Sequence, residues 1–135
     1  MTLNIEEEID QRIAAMEAEP QASSGVEHVR REILFINDVI HTTGVEARGG
    51  IRSLAQIEVY GHATPSSTVR RGIIRFRPEA ELRAPYFKEG DKTIRLWIDL
   101  AHMAHATTQL LHRKRFLWIG IWPDGYTYAD LHSRP

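Results

Sequence analysis

The clearest pattern of hydrophobic and polar positions lies in the last third of the chain. Apolar and polar side chains alternate over residues 93–100, as in a strand with one buried face. Over residues 101–113 the apolar positions recur every three or four residues, which predicts a helix. Residues 116–122 are apolar on both faces, as in a central strand, and a Pro-Asp-Gly turn separates them from a last strand at 126–131. The pattern therefore predicts a strand, a helix and a terminal β-hairpin.

A second pattern marks the N-terminus. Apolar residues spaced mostly by four and three, with acidic residues between them, predict an amphipathic helix over residues 2–19, which Pro20 ends. Its apolar stripe is narrow, as in a seam between two helices. Two alternatives follow: the stripe docks on its own domain, or it pairs with a second copy of the chain. In the second case, the interface of a homo-oligomer consists of Leu3, Ile5, Ile9, Ile13 and Met16.

The middle of the chain has weaker patterns. Residues 26–41 have apolar positions at helical spacing, which predicts a second helix, although their β-branched and aromatic residues leave a strand open over part of the run. The glycine-rich residues 42–50 are predicted to form a loop. Period-two alternation predicts strands at 55–60 and 69–77, and residues 79–91 form a long irregular connection.

Together these elements predict an α+β fold. We expect N-terminal helices, then an antiparallel or mixed sheet of about five strands with one helix packed on it, ending in a β-hairpin. The helix at 101–113 is just long enough for a right-handed parallel crossover between its flanking strands. In this prediction residues 1–20 are an acidic amphipathic helix, and residues 21–135 are a single α+β domain.

Composition narrows the classes of protein. The chain of 135 residues contains no cysteine, which excludes a disulfide scaffold, a Cys-ligated zinc and a thiol nucleophile. No apolar run is long enough for a membrane span, and the N-terminus lacks a signal-peptide pattern, so we expect a soluble cytoplasmic protein.

Charge is distributed unevenly along the chain. The net charge is −1, but the first 20 residues contribute about −5 and the remainder about +4. Either the acidic helix simply presents a solvated face, or it shields the basic remainder of the protein or mimics a partner that would otherwise meet it.

A basic surface is the main candidate site. On the strand at 69–77, Arg75 and Arg77 point away from the apolar positions, and Arg95 and Trp97 do so on the strand at 93–100. If these faces are contiguous, they form a cationic surface with an exposed indole, which suits an acidic protein or a nucleic acid with one stacked base. Arginine on an outer sheet face also serves solubility alone. The predicted partner-binding residues are Arg70, Arg71, Arg75, Arg77, Arg95 and Trp97.

Histidines offer a weaker hypothesis. His102 and His105 are neighbours on the predicted helix, and Asp99 with His62 or His132 would complete a zinc ligand set. The spacing does not match a metal-binding helix motif, so we predict no metal and no cofactor.

Catalytic pairs are no better supported. The pairs that lie close in sequence are Ser66 or Ser67 with His62, Asp99 with His102, and Asp130 with His132. Such pairs arise by chance in a chain of this composition, and neither a nucleophile elbow nor a nucleotide-binding glycine motif accompanies them.

Aromatic residues concentrate near the C-terminus. Trp118, Gly120 and Trp122 share one face of their strand, and Tyr126 and Tyr128 on the return strand can pair with them. Core packing is one interpretation, and an aromatic protein-binding face is the other.

These observations favour a small, soluble, non-enzymatic interaction module. We expect it to bind a macromolecular partner, a protein in the first place, and to form a homo-oligomer such as a homodimer. The alternatives are a nucleic-acid-binding protein that uses the basic sheet face, or a His-dependent metalloenzyme.

Overall fold

A single mixed sheet of seven strands organises the chain. The computed structural model describes residues 4–17 and 29–135. The strands are β1 (Arg30–Ala47), β2 (Ile51–Ala63), β3 (Arg71–Arg77), β4 (Tyr86–Lys88), β5 (Thr93–Asp99), β6 (Lys114–Ile121) and β7 (Thr127–Arg134). Their order in the sheet is β4-β5-β3-β2-β1-β6-β7, and every neighbouring pair is antiparallel except β3 and β5, which are parallel.

Two α-helices in the described part of the chain cover the sheet from opposite sides. They are α1 (Ile5–Glu17) and α2 (Met103–Gln109), and single 3₁₀ turns lie at Glu79–Glu81 and Leu100–His102. This arrangement confirms an α+β fold with a sheet-packed helix and a terminal hairpin, here β6–β7. The sheet has two more strands than expected, because β1 forms where a helix is predicted and β4 forms within the long connection.

The predicted second helix at 26–41 is wrong, because β1 occupies most of that run. Ile33 faces α1 while Leu34 and Ile36 face the opposite core, so both sides of the first part of the strand are buried, whereas residues 37–47 are mostly exposed. A strand buried on both sides loses its period of two, and its apolar residues then fall at spacings that also fit a helix. The loop predicted at 42–50 is shorter, since β1 continues to Ala47.

The predicted parallel crossover through α2 is also wrong. β6 pairs with β1 rather than with β5, and it runs antiparallel to β1. The parallel pair is β3–β5, whose connection contains the 3₁₀ turn at Glu79–Glu81 and the short strand β4.

The sheet is curled. β3 and β6 are three positions apart in the strand order, which in a flat sheet would separate them by about 14 Å. Yet a Cβ placed on Gly72 of β3 would lie 2.0 Å from Leu117 Cδ2 of β6, so the inner faces of these strands are in contact. Glycine is the residue that allows this close approach.

The two faces of the curled sheet have separate cores. The inner core joins both ends of the sheet and α2, and its fully buried members are Leu34, Val59, Ile74, Ile94, Leu117 and Ile119. The outer core is smaller and lies between α1 and the strands β1 and β6, where Trp118 and Trp122 meet Ile9 and Ile13. The apolar stripe of α1 therefore covers one end of the outer face, whereas the end formed by β3 and β5 carries mainly arginines, with Trp97 and the buried Ile73 among them. Among the described residues, no helix is long and apolar enough to cross a membrane.

Candidate functional site

The apolar stripe of α1 packs on the chain's own sheet. Ile9 and Ile13 are completely buried and Met16 is nearly so, all against the outer core, and Ile5 is partly buried beside them. Leu3 lies outside the described residues. In this structure the stripe docks on its own domain, which is the first of the two alternatives. An oligomer interface along the stripe would require α1 to leave the sheet, so such a homodimer stays a prediction.

Acidic residues of α1 meet cationic groups at the covered end of the outer face. Asp10 forms an ion pair with Arg31 of β1. Glu8 lies 3.1 Å from His132 Nε2 and 3.3 Å from Arg134 Nη2, both on β7. The negative charge of the N-terminal segment is thus partly neutralised within the protein, by cations of β1 and β7.

Pairing between β3 and β5 brings the predicted basic residues together. In the parallel register Arg75 lies beside Trp97, and the guanidinium carbon of Arg75 is 5.8 Å from the centroid of the indole. The basic faces of β3 and β5, which the sequence alone could only suggest to be adjacent, are therefore adjacent at Arg75 and Trp97. Arg77 follows on the same face, next to Asp99 in the register.

One acidic residue divides the predicted surface in two. Asp91 Oδ2 accepts from Arg71 Nη2 at 3.3 Å and from Arg95 Nη2 at 3.5 Å, so these two arginines share a counter-ion. Arg70 is exposed just before β3, and its backbone N–H donates to the Lys92 carbonyl. These three residues lie towards the start of β3, whereas Arg75, Arg77 and Trp97 form the other part of the surface.

A groove opens at this second part. Its volume is about 390 Å³, and we call it the arginine groove; its lining residues are Arg52, Arg75, Arg77, Ala80, Glu81, Leu82, Arg83 and Trp97. Three segments build it: β2 at Arg52, the paired strands β3 and β5, and the connection around the 3₁₀ turn at Glu79–Glu81. The pairing of β3 with β2 on one side and with β5 on the other places these strands side by side.

The indole of Trp97 lies at the centre of the cationic groups. Arg83 approaches the ring to 5.8 Å, the same distance as Arg75, and the Tyr86 ring of β4 stacks at 6.0 Å with an interplanar angle of 28°. Such cation–π contacts hold each guanidinium in place without neutralising its charge. The N–H groups of Arg75 and Arg83 thus stay available for an anionic group.

The positive charges of the arginine groove are only partly balanced. Arg52 pairs with both Glu46 and Glu81. Among residues 4–17 and 29–135, no carboxylate is within salt-bridge distance of Arg75, Arg77 or Arg83.

Arg77 shows the cost of this imbalance. Desolvation by burial, and then repulsion from Arg52 and Arg75, lower the pKa of the Arg77 guanidinium from its usual value. Its Nη1 donates to the carbonyl oxygens of Phe76 at 2.9 Å and Ala55 at 3.4 Å. A bound anion would relieve the repulsion among these cations.

Sequence reasoning missed two of the four arginines of the groove. Arg83 lies in the connection read as irregular, and nothing in its neighbourhood indicates which way it points. Arg52 had a usable signal, because it precedes Gln56 by four residues and Gln56 is the partner of Arg75 across β2 and β3. Side chains four residues apart in a strand point to the same face, so Arg52 lies on the face of β2 that carries Gln56.

The histidines do not converge on a metal site. His102 and His105 line a cleft of about 330 Å³ between α2 and β7, whereas His132 lies on the opposite face of β7 with Glu8. Asp99 caps the 3₁₀ turn at Leu100–His102 by accepting from the backbone N–H of Ala101 at 2.9 Å. Within the described ranges, no group of three or more His, Asp or Glu side chains is arranged to hold an ion.

The serines near His62 have structural contacts. Ser66 Oγ donates to Glu6 of α1 at 2.6 Å, and Ser67 Oγ accepts from the backbone N–H of Ile33 at 2.9 Å. Asp130 is bonded to the Tyr128 hydroxyl at 2.9 Å. The two serine contacts fasten the loop after β2 to α1 and β1.

The late aromatic residues form core. Trp118 is completely buried and Trp122 nearly so, under α1. The ring of Tyr128 lies 5.5 Å from Trp118, and that of Tyr126 lies 4.8 Å from Trp122. The first interpretation of this cluster, core packing, describes its place in the fold.

Comparison of the chain with protein-family models, with curated proteins and with solved structures finds no match. The chemistry of the arginine groove is accordingly the basis on which a function can be argued.

Proposed function

We propose that the protein is a non-enzymatic binding module that engages an anionic segment of a partner protein through the arginine groove. The observation that supports this proposal is the convergence of Arg75, Arg77 and Arg83 around Trp97, with no carboxylate of the described chain at salt-bridge distance. Guanidinium groups present a planar fork of donors that matches carboxylate and phosphate oxygens two at a time.

The electrostatics of the groove favour an incoming anion. Like charges held close together destabilise the free protein, and the Arg77 environment is both desolvated and repelled by its neighbours. An anion that enters such a site removes repulsion as well as adding attraction. The free protein retains the arrangement because ring contacts and backbone carbonyls hold the guanidinium groups in position.

A protein partner fits this surface better than a nucleic acid. The basic patch is short, because Arg71 and Arg95 share Asp91 as an ion-pair partner at one end and Glu46 and Glu81 pair with Arg52 at the other. Binding to a nucleic-acid backbone relies on many unpaired cations along a track, and the whole chain has a net charge of −1. Trp97 also has Tyr86 and two arginines around it already, which limits its use as a stacking platform.

A pull-down from extracts of the native host tests the proposal. The wild-type chain is compared with an Arg75→Glu, Arg77→Glu variant and with an Arg48→Glu, Arg113→Glu variant, which makes the same charge change at exposed sites that do not line the groove. We expect the groove variant to lose a partner protein that the control variant retains. Urea denaturation and the solution mass of each variant establish that the fold and the oligomeric state are unchanged.

Two results would contradict the proposal. One is retention of the same partners by wild type and both variants. The other is retention of nucleic acid, sensitive to nuclease and to salt, in place of protein, which would favour the rival class.

A further inference from the structure

The charge of the arginine groove exceeds what one carboxylate can neutralise. Its lining contains four arginines and one glutamate, a net charge of +3. The single acid, Glu81, is already engaged with Arg52. A monoanionic carboxylate would leave most of this charge unbalanced, so a ligand with more charge on one compact group fits the site better.

A phosphate monoester has the required properties. It carries a charge of about −1.5 to −2 at neutral pH and presents three acceptor oxygens on one centre. Arginine binds such a group through two parallel N–H···O bonds, and several arginines can share it. A groove of about 390 Å³ is large enough for one such side chain.

The walls of the groove fit the remainder of such a side chain. Ala80, Leu82 and Trp97 provide apolar surface next to the guanidinium groups. Their carbon atoms can contact the atoms that link a phosphate to its peptide backbone. The site thus combines a cationic centre with a short apolar flank, as a modified side chain requires.

Other cationic sites of the described chain lack this combination. Arg31 is paired with Asp10, Arg30 with Glu32 and Glu89, and Arg71 with Asp91. Each of these arginines has a carboxylate that an incoming phosphate would have to displace. In the arginine groove, by contrast, Arg75 and Arg83 have no carboxylate of the described chain to be displaced.

We infer that the arginine groove binds a phosphate monoester on a side chain of the partner protein, with the guanidinium groups of Arg75, Arg77 and Arg83 around the phosphate. This inference rests on the proposed function, because it specifies the chemistry of the anionic segment. Phosphorylation of the partner would then control its binding to this module.

The test uses the full chain and four capped Gly-X-Gly peptides. X is phosphoserine, phosphotyrosine, glutamate or unmodified serine, and inorganic phosphate and a single-stranded oligothymidine serve as further probes. Binding is followed by calorimetry and by the NMR signal of the Trp97 indole N–H, assigned with a Trp97→Phe variant. We expect a saturable shift of that signal with a phosphorylated peptide, and a Kd at least about tenfold lower than for the glutamate peptide.

Matched variants locate the site. Arg75→Gln removes an unpaired guanidinium, and we expect the Kd for the phosphorylated peptide to rise at least about tenfold. Arg71→Gln removes an arginine that Asp91 already holds, and we expect a change of less than about twofold. Equal effects of the two substitutions would contradict binding in the groove.

The pH dependence separates phosphate from carboxylate. A phosphate monoester gains its second negative charge with a pKa of about 6, so its binding should strengthen between pH 5 and 7.5. The charged groups that face the ligand are Arg52, Arg75, Arg77, Arg83 and Glu81, and no histidine is among the described lining residues. The glutamate peptide should show no such strengthening.

Each further outcome has a definite meaning. Equal affinity for the glutamate and phosphorylated peptides overturns the phosphate inference and leaves the proposed function in place. The same holds if no probe binds while the pull-down depends on Arg75 and Arg77. Tighter binding of oligothymidine overturns both in favour of nucleic acid, and binding of inorganic phosphate alone, without any peptide, overturns the assignment to a protein side chain. If neither the probes nor the pull-down depend on the groove, the proposed function itself fails.

Discussion

The outer face of the sheet presents arginines at both of its ends, and the two ends differ in what surrounds them. At the covered end, α1 packs over β1 and β6, and its Asp10 and Glu8 meet Arg31 and Arg134. At the open end, Arg75 and Arg83 lie against Trp97 without an acidic partner from the described chain. The same residue type is therefore ion-paired at one end and without a carboxylate partner from the described chain at the other. Tertiary contacts, rather than residue type, make this difference.

The largest expected effect comes from opening the covered end. Ile13 of α1 is completely buried in the outer core, so Ile13→Ala should lower the free energy of unfolding by about 2–5 kcal/mol. Urea denaturation measures the loss, and Gln11→Ala, at an exposed position of the same helix, is the control. A loss under about 1 kcal/mol would show that α1 does not pack on the sheet in solution, and the distinction between the two ends would disappear.

A second prediction concerns the buried carboxyl group of the covered end. Burial raises the pKa of Asp130 above its ordinary value, despite the Tyr128 hydroxyl bond that opposes the shift. A raised pKa in the folded state means that the carboxyl stabilises the fold below its unfolded pKa, and that this contribution is lost as pH rises through the folded pKa.

Asp130→Asn should therefore be more stable than wild type at neutral pH, because the amide removes a charge that burial disfavours. The advantage should shrink on acidification towards the ordinary pKa of an aspartate side chain, which is about 3.9. Free energies of unfolding measured in urea at a series of pH values, from neutral down to that pKa, check the direction. A variant that is less stable than wild type throughout would mean that the ionised carboxylate is the favoured form.

A smaller effect is expected for the ion pair at the same end. Asp10 and Arg31 are both partly exposed, so their interaction should contribute only about 0.2–1 kcal/mol to stability. A double-mutant cycle with Asp10→Ala and Arg31→Ala measures this coupling. The matched cycle of Asp10→Ala with Arg75→Ala should give a coupling near zero, since the open end does not share acids with α1.

The smallest effect on stability is expected at the open end. Within the described residues, Arg75 has only its ring contact with Trp97, so Arg75→Ala should change the free energy of unfolding by no more than about 0.5 kcal/mol. Thermal or urea denaturation is sufficient to measure it. A loss as large as that of Ile13→Ala would mean that Arg75 supports the fold, and the open end would then resemble the covered one.

The sequence was sufficient for elements whose burial is one-sided. β5 alternates cleanly because Ile94 and Leu96 face the inner core while Arg95 and Trp97 face outwards. β1 was not predictable in the same way, because its neighbours lie on both sides: α1 on one and the inner core on the other. Its run of apolar residues fits both a strand that is buried on both faces and a buried helix. The helix prediction arises because the run does not distinguish these two structures.

The candidate site likewise contains residues that the strand pattern predicted and residues that it did not. Period-two geometry places Arg75 and Trp97 on one face, and the parallel β3–β5 register then brings them together. The sequence could not show that Arg71 and Arg95 share Asp91, nor that Arg83 lies over the Trp97 indole from the connection. These contacts depend on chain paths that no local pattern encodes.

The hairpin of β1 and β2 extends beyond the strands β6 and β3 that flank it, so its tip should unfold locally more easily than the centre of the sheet. β6 supports β1 only as far as Phe35, and β3 supports β2 only from Ala55 onwards. Beyond both supporting strands, residues 44–47 of β1 pair only with residues 51–54 of β2, so this end of the hairpin is two strands wide. Val45 and Ile51 near its tip are 68% and 83% exposed. A ribbon of two strands has little stability of its own. Its amide hydrogens should thus exchange with solvent through local unfolding, long before those of the central strands exchange through global unfolding.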